Sequence, residues 1–305
     1  MNKWMKKGLF AMCAVCLLSV GIGGGASAAQ TKKAIVVTSF GTTFPDARKA
    51  CIETAENDIR AAFPDYEVRR AFTARKVIAK MAAEEKIQVD TLEQALAKLK
   101  AEGYQEVVIQ PLHLTPGEEY EKKILNAYRQ AWADNSFASI AVGRPVLMFD
   151  GQQGMPDDFK ALAAAVEKQM PKLGNGEAVL FMGHGSPHQP NPAYAKMQSI
   201  LQERGNKAYM GVVEETDHPN FEDALAELKK NQIQKVTLMP FMLVAGDHAN
   251  NDMAGSEPDS WKNRLQKEGF QVETVLKGLG ENAAYRSIYV NHVRDAIRGL
   301  YQPQH

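Results

Sequence analysis

The chain has 305 residues, with 36 basic and 36 acidic side chains and 45% apolar content. That is the make-up of a globular protein with room for one large or two medium domains. The charge balance carries no basic bias and so argues against a nucleic-acid partner. Beyond residue 28 the single remaining cysteine, Cys51, cannot form an internal disulfide, so the fold must rest on its core.

Residues 1–28 read as a secretory signal peptide. Lys3, Lys6 and Lys7 form a basic start, residues 9–22 an apolar run, and Ala26-Ser27-Ala28 a small-residue cleavage site. An uncleaved anchor is the alternative; the short core and glycine-rich end weaken it. The mature chain is then expected to be exported, periplasmic and free of the membrane. It keeps 33 basic and 36 acidic residues, because the leader holds three lysines and no acid.

From there strands and helices alternate. Residues 34–38 form a strand, 39–44 a turn, and Pro45 opens a helix to about residue 63. A strand over 66–72 and a helix over 74–84 follow. Thr91-Leu92-Glu93-Gln94 has the spacing of a capping box, opening a helix with Leu92, Ala95, Leu96 and Leu99 on one face. Residues 106–110 are the next strand, then comes a helix to about Trp132 and a strand over 139–142. In the second half the strands are 178–182, 208–213, 235–241 and 271–275. The helices lie near 156–170, 192–203, after Asn220, 260–268 and 282–301. This order predicts an α/β protein with parallel sheets covered on both faces.

The halves repeat each other. Ala34-Ile35-Val36-Val37-Thr38-Ser39-Phe40-Gly41-Thr42 aligns with residues 178–186, and the segment 111–119 aligns with 240–248. Two matches in the same order imply two similar halves, 32–150 and 151–305. A pseudo-two-fold would relate them across a cleft, with the last helix placed to pack back on the N-terminal half.

His184, Glu214 and His248 each follow the carboxyl end of a strand in the second half, the place where open α/β sheets bind ligands. Two imidazoles and a carboxylate suit an open site for a divalent first-row metal; alternatively each is an ordinary loop residue with a hydrogen bond. His113 and the acids Glu118 and Glu119 stand at the matching place in the first half, although acids are favoured at a helix start in any case. Asp252 and Asn250 are candidates to orient His248. His188 and His218 read as solvated, and His292 and His305 carry no assigned role. No Gly-x-x-x-x-Gly-Lys-Ser/Thr loop is present, so no nucleotide is expected.

Five motifs together carry a family resemblance: Ser39-Phe40-Gly41-Thr42-Thr43-Phe44, residues 110–120, Met182-Gly183-His184-Gly185-Ser186, Gly211-Val212-Val213-Glu214 and residues 239–252. The chain resembles the class II tetrapyrrole chelatases, most closely the sirohydrochlorin cobaltochelatases of anaerobic cobalamin synthesis, over residues 32–302. The resemblance implies two flavodoxin-like, chelatase-like domains. It also implies Co²⁺ held by His184, Glu214 and His248, and ATP-independent insertion of that ion into sirohydrochlorin with loss of two pyrrole protons. His184, His248, Glu118 and Glu119 are then the candidate proton acceptors. Phe40, Thr42, Thr43, His113 and Ser186, with Arg75, are candidate contacts to the macrocycle. The export signal departs from that pattern, since cobalamin intermediates are made inside the cell. It keeps open Fe²⁺ insertion into sirohydrochlorin or a porphyrin, and a non-catalytic periplasmic tetrapyrrole or metal carrier. A homo-oligomer is left open.

Overall fold

The computed structural model describes residues 31–187, 191–301 and 303. The expected signal peptide, His188 and His305 lie outside the described residues. From Thr31 onward the chain forms one compact unit.

Two parallel sheets organise it. The first joins β1 (Lys33–Ser39), β2 (Glu67–Phe72), β3 (Asp90–Thr91), β4 (Glu106–Pro111) and β5 (Ser139–Val142) in the order β3-β2-β1-β4-β5. The second joins β6 (Glu177–Gly183), β7 (Ala208–Val212), β8 (Lys235–Pro240) and β9 (Gln271–Thr274) in the order β7-β6-β8-β9. In both, the chain leaves its first central strand to one side and returns on the other. The switch points therefore fall between β1 and β4 and between β6 and β8, where such sheets open a crevice at their carboxyl ends. The register keeps those ends level: Thr38 lies opposite Pro111, and Met182 opposite Pro240. The short β3 has no sequence signature of its own; its two residues pair with Ala71 and Phe72 on the way into the next helix.

The α-helices are α1 (Pro45–Ala47), α2 (Thr54–Ala62), α3 (Arg75–Glu84), α4 (Leu92–Ala101), α5 (Asn126–Ala133), α6 (Asp158–Val166), α7 (Ala193–Glu203), α8 (Phe221–Lys230), α9 (Trp261–Lys267) and α10 (Ala283–Ile297). The expected capping box opens α4, with the Gln94 N–H donating to Thr91 Oγ1 and the Thr91 N–H to Gln94 Oε1. The matching box at α8 pairs Asn220 with Asp223. Three stretches are wound as π-helix: Arg48–Glu53, Tyr120–Leu125 and Ala249–Met253. Each lies in the segment after a central strand, β1, β4 or β8, and such turns cluster at functional sites. A 3.6-residue apolar period does not reveal them.

Strand alternation divides the core into layers. Ala34 and Val36 face a cluster with α4 and α5, and Ala178, Leu180 and Met182 face one with α8 and α9. Ile35, Val37, Val179 and Phe181 all face a third cluster, filled from α2, α6, α7 and α10. The two sheets thus share one central layer. Within it α10, the last helix, packs on α2, α6 and β4.

Candidate metal and substrate site

The loop after β6 is built on two glycines. A Cβ on Gly183 would collide with the ring of Tyr194, and Gly185 takes a φ of +82° with Val212 pressed against it. Both positions therefore need glycine. The loop is pinned by backbone bonds from Val213 to Gly183 O and from Glu214 to His184 O, at 3.0 and 3.1 Å. Asp217, which is fully buried, completes the anchoring. Its carboxylate accepts the N–H groups of Ser186, Asn191 and His218 at 2.9, 2.8 and 2.8 Å. No local signal singles out this residue, because Glu-Glu-Thr-Asp-His-Pro has the composition of a solvated loop.

His184 and His248 meet across the ends of β6 and β8, with ring centroids 5.0 Å apart and planes at 80°. Glu214, after β7, brings Oε1 to 4.0 Å from His184 Nδ1. The His184 side chain is 50% exposed, that of Glu214 31% and that of His248 37%, so the set faces solvent. His184 Nδ1 lies 3.1 Å from Gly185 O and His248 Nδ1 2.5 Å from Asp252 Oδ2. A carbonyl and a carboxylate both require a proton on Nδ1, which leaves each Nε2 as the lone-pair nitrogen. Asp252 thus plays the orienting part expected of it. Asn250 does not, since its amide bonds Ala245 O and Gly246 O. The trio is open: among the described residues no three His, Cys, Asp or Glu side chains are gathered closely enough to hold a metal ion as they stand.

The first half supplies the opposite wall. Phe40, just past β1, is 53% exposed. Thr42 is buried; its hydroxyl accepts the Phe44 N–H at 3.2 Å and stands beside Gly246 of the β8 loop. Thr42 therefore spends its hydroxyl on the turn and only packs beside the second loop, while Thr43 is half-buried. Glu118 and Glu119 are each held by a lysine one turn on, Lys122 at 2.5 Å and Lys123 at 2.6 Å. They differ in surroundings: Glu118 is exposed, whereas Glu119 Oε2 is buried without a hydrogen-bond partner.

His113, after β4, is the most unusual group. Both its ring nitrogens are buried and neither has a partner. Burial pushes its pKa down to about 4, the Glu119 carboxylate opposing and Lys123 assisting. It is thus a neutral imidazole near pH 7, with one N–H and one lone pair uncommitted. Ser186 lies elsewhere, on a cavity of about 1000 Å³ shared with Glu118, Glu121, Phe149 and Lys196.

The comparisons with known proteins agree with this architecture. Residues 33–298 match the family described as cobalt chelatase (CbiK). The sirohydrochlorin cobaltochelatase of Salmonella typhimurium is 39% identical over 266 residues, covering 87% of this chain and 97% of that protein. Sirohydrochlorin cobaltochelatase CbiKC of Nitratidesulfovibrio vulgaris is 32% identical over 274 residues, 89% of this chain and 93% of the relative. Among solved structures, SirB of Bacillus subtilis with Fe³⁺ superposes with a TM-score of 0.60 at 17% identity, covering 87% of this chain and 96% of that one. The sirohydrochlorin chelatase SirB of Bacillus subtilis subspecies spizizenii in complex with cobalt gives 0.58 at 15%, covering 88% and 97%. At those identities the structures speak for the fold. The family match over nearly all of the described chain speaks for descent, and the chain belongs to the cobalt chelatase (CbiK) family.

Proposed function

We propose that the protein inserts Co²⁺ into sirohydrochlorin without ATP, releasing two pyrrole protons. The observation that carries this reading is the pair of imidazoles, His184 and His248, facing each other 5.0 Å apart at the switch point of the second sheet of a cobalt chelatase family member. Their Nε2 atoms and the Glu214 carboxylate receive the incoming Co²⁺. Three protein ligands leave coordination positions to be filled by ring nitrogens, which take the ion over.

The pyrrole protons need acceptors within reach. Glu119 offers an unpartnered oxygen beside the neutral His113, and this pair is better suited than exposed Glu118. Catalysis by a positioned base contributes roughly 10²–10⁴-fold. Phe40 and His113 line the side on which the macrocycle enters. Export over residues 1–28 belongs to the same proposal; it is supported by the basic, apolar and small-residue segments in sequence. Intact mass of the periplasmic fraction should then begin at Ala29.

The test is visible absorption of sirohydrochlorin during metal insertion, with Co²⁺ and Fe²⁺ supplied separately. His184→Ala and His248→Ala should abolish insertion. Glu119→Gln should lower kcat by roughly 10²-fold or more while still binding the macrocycle. Tight macrocycle binding without insertion of either metal would replace the enzyme reading with that of a carrier.

A further inference from the structure

Three tyrosines stand in the central layer that both sheets share: Tyr194 of α7, and Tyr285 and Tyr289 of α10. All three are buried. A phenylalanine ring would fill the same volume. A hydroxyl in such a place costs free energy unless it is hydrogen-bonded, so the partner of each one is informative. Here the partners are the backbones of the loops that carry His184 and His113.

On one side the Tyr194 hydroxyl meets the metal loop. It accepts the Gly185 N–H at 3.4 Å, and the His184 N–H also faces it. The Tyr194 ring lies where a Cβ on Gly183 would stand. One side chain thus supports all three residues of Gly183-His184-Gly185. Burial pushes this phenol up to about 12, so near pH 7 it stays neutral.

On the other side Tyr289 donates to Leu112 O at 2.8 Å, and the Tyr285 hydroxyl stands 2.7 Å from that of Tyr289. The Tyr289 proton is committed to the carbonyl, so Tyr285 is the donor in the second bond. Leu112 directly precedes His113. Its N–H donates to Thr38 O at 2.8 Å, while His113 O and Leu114 O accept the N–H groups of Val146 and Leu147 at 3.0 and 2.8 Å. The ring nitrogens of His113, by contrast, have no partner. The place of this imidazole is therefore set by its backbone, and Tyr289 supplies the anchor that comes from the last helix. The three hydroxyls belong to one packed block: α10 packs on β4 and on α6, and α6 on α7. Tyr194 is near enough to Tyr285 to act on it electrostatically.

We propose that these tyrosines are positioning residues that fix the proton-accepting loop against the metal loop. Tyr289, backed by Tyr285, places His113 beside Glu119, and Tyr194 places His184. The proposal rests on the chelatase reading, in which metal entry and proton departure occur on one macrocycle and so need both loops at a set separation. A close-packed layer holds such a separation, which loops alone would not.

The experiment uses the full mature chain and tyrosine-to-phenylalanine variants, which keep the ring and remove the hydroxyl. Tyr289→Phe should lower kcat for Co²⁺ insertion about tenfold or more, with the KM for sirohydrochlorin and the Kd for Co²⁺ unchanged. Tyr285→Phe should lower kcat less. The double variant should lose no more than Tyr289→Phe, because Tyr285 acts through the Tyr289 hydroxyl. Tyr194→Phe should instead weaken Co²⁺ binding, by about tenfold. In ¹H–¹⁵N spectra the imidazole signals of His113 should move in Tyr289→Phe and not in Tyr194→Phe, and those of His184 the reverse. A merely structural role would move both sets of signals, and lower kcat and Co²⁺ affinity together, in every variant. That result, or wild-type values throughout, would overturn the proposal. A wild type that inserts no metal would overturn the chelatase reading instead, and the histidine signals and the Co²⁺ titration would still decide the positioning.

Discussion

Asp252 holds His248 Nδ1 at 2.5 Å from a position one helical turn on, and this contact decides which imidazole nitrogen keeps the lone pair that, under the proposed function, receives Co²⁺. Asp252→Asn keeps the shape but offers either an amide N–H or a weaker acceptor to Nδ1. It should lower Co²⁺ affinity roughly 10–100-fold, the usual effect of losing such a partner. Calorimetric titration of the mature protein with Co²⁺ checks it; unchanged affinity would show that His248 is oriented by something else. His113 gives a pH signature. Its folded pKa of about 4 lies below the ordinary 6.5, so above pH 6.5 both folded and unfolded chains carry it neutral. As pH falls through 6.5 the unfolded chain takes up a proton that the folded chain refuses. Stability is then lost progressively down to about pH 4, by roughly 3 kcal/mol at the limit. Melting curves of wild type and His113→Gln between pH 7 and 4 should therefore converge towards acid, and parallel curves would contradict the burial of this imidazole.

Most of the helices and strands were legible in sequence, because each signal was local; β3 was missed, and the helices expected over 156–170 and 282–301 stop at Val166 and Ile297. Thr91 with Gln94 and Asn220 with Asp223 mark helix starts through their own hydrogen bonds, and the apolar face of α4 repeats at helical spacing. The placement of His184, Glu214 and His248 after β6, β7 and β8 was legible for the same reason. What stayed hidden was set by distant partners. The π turns after β1, β4 and β8 insert residues without changing composition. Asp217 gains its part only because the loops after β6 and β7 converge on it. That convergence can be tested. Asp217→Ala leaves three half-buried N–H groups without their charged acceptor, each such bond being worth about 1.5–3 kcal/mol. Asp217→Asn retains Oδ1 for Asn191 and His218 but turns an N–H₂ towards Ser186. Amide hydrogen exchange should then show Asp217→Asn exposing Ser186 selectively, with Asp217→Ala exposing all three amides and abolishing insertion. Equal protection in both variants would mean that the loop is held by its backbone bonds alone.

At the scale of the whole molecule, the repeated sequence predicts two similar halves, and the packing joins them through one layer. Ile35 and Val37 of one sheet and Val179 and Phe181 of the other bury into the same layer, and α10 from the end of the chain lies on α2 and β4. A buried polar junction accompanies that layer. Arg144, 2% exposed, donates to both oxygens of Asp158 at 3.0 Å and to Asp295 of α10 at 2.8 Å. His292 of α10 bridges Arg144 O and Asp158 Oδ1. Burial alone would raise the Asp158 carboxyl, but the hydrogen bonds from His292 and Arg144 outweigh it and hold the group below the usual carboxylate range. The folding of the two sheets is consequently coupled: neither can lose its central layer without stripping the other. Asp158→Ala removes one partner of a desolvated pair and should destabilise the protein by about 3–5 kcal/mol. Because the layer is common to both halves, the loss should appear as a shift of one cooperative urea transition with its slope preserved, read identically by tryptophan fluorescence and far-UV circular dichroism. Two resolved transitions, in wild type or variant, would show that each half carries a core sufficient for itself, and that the shared layer does not couple them.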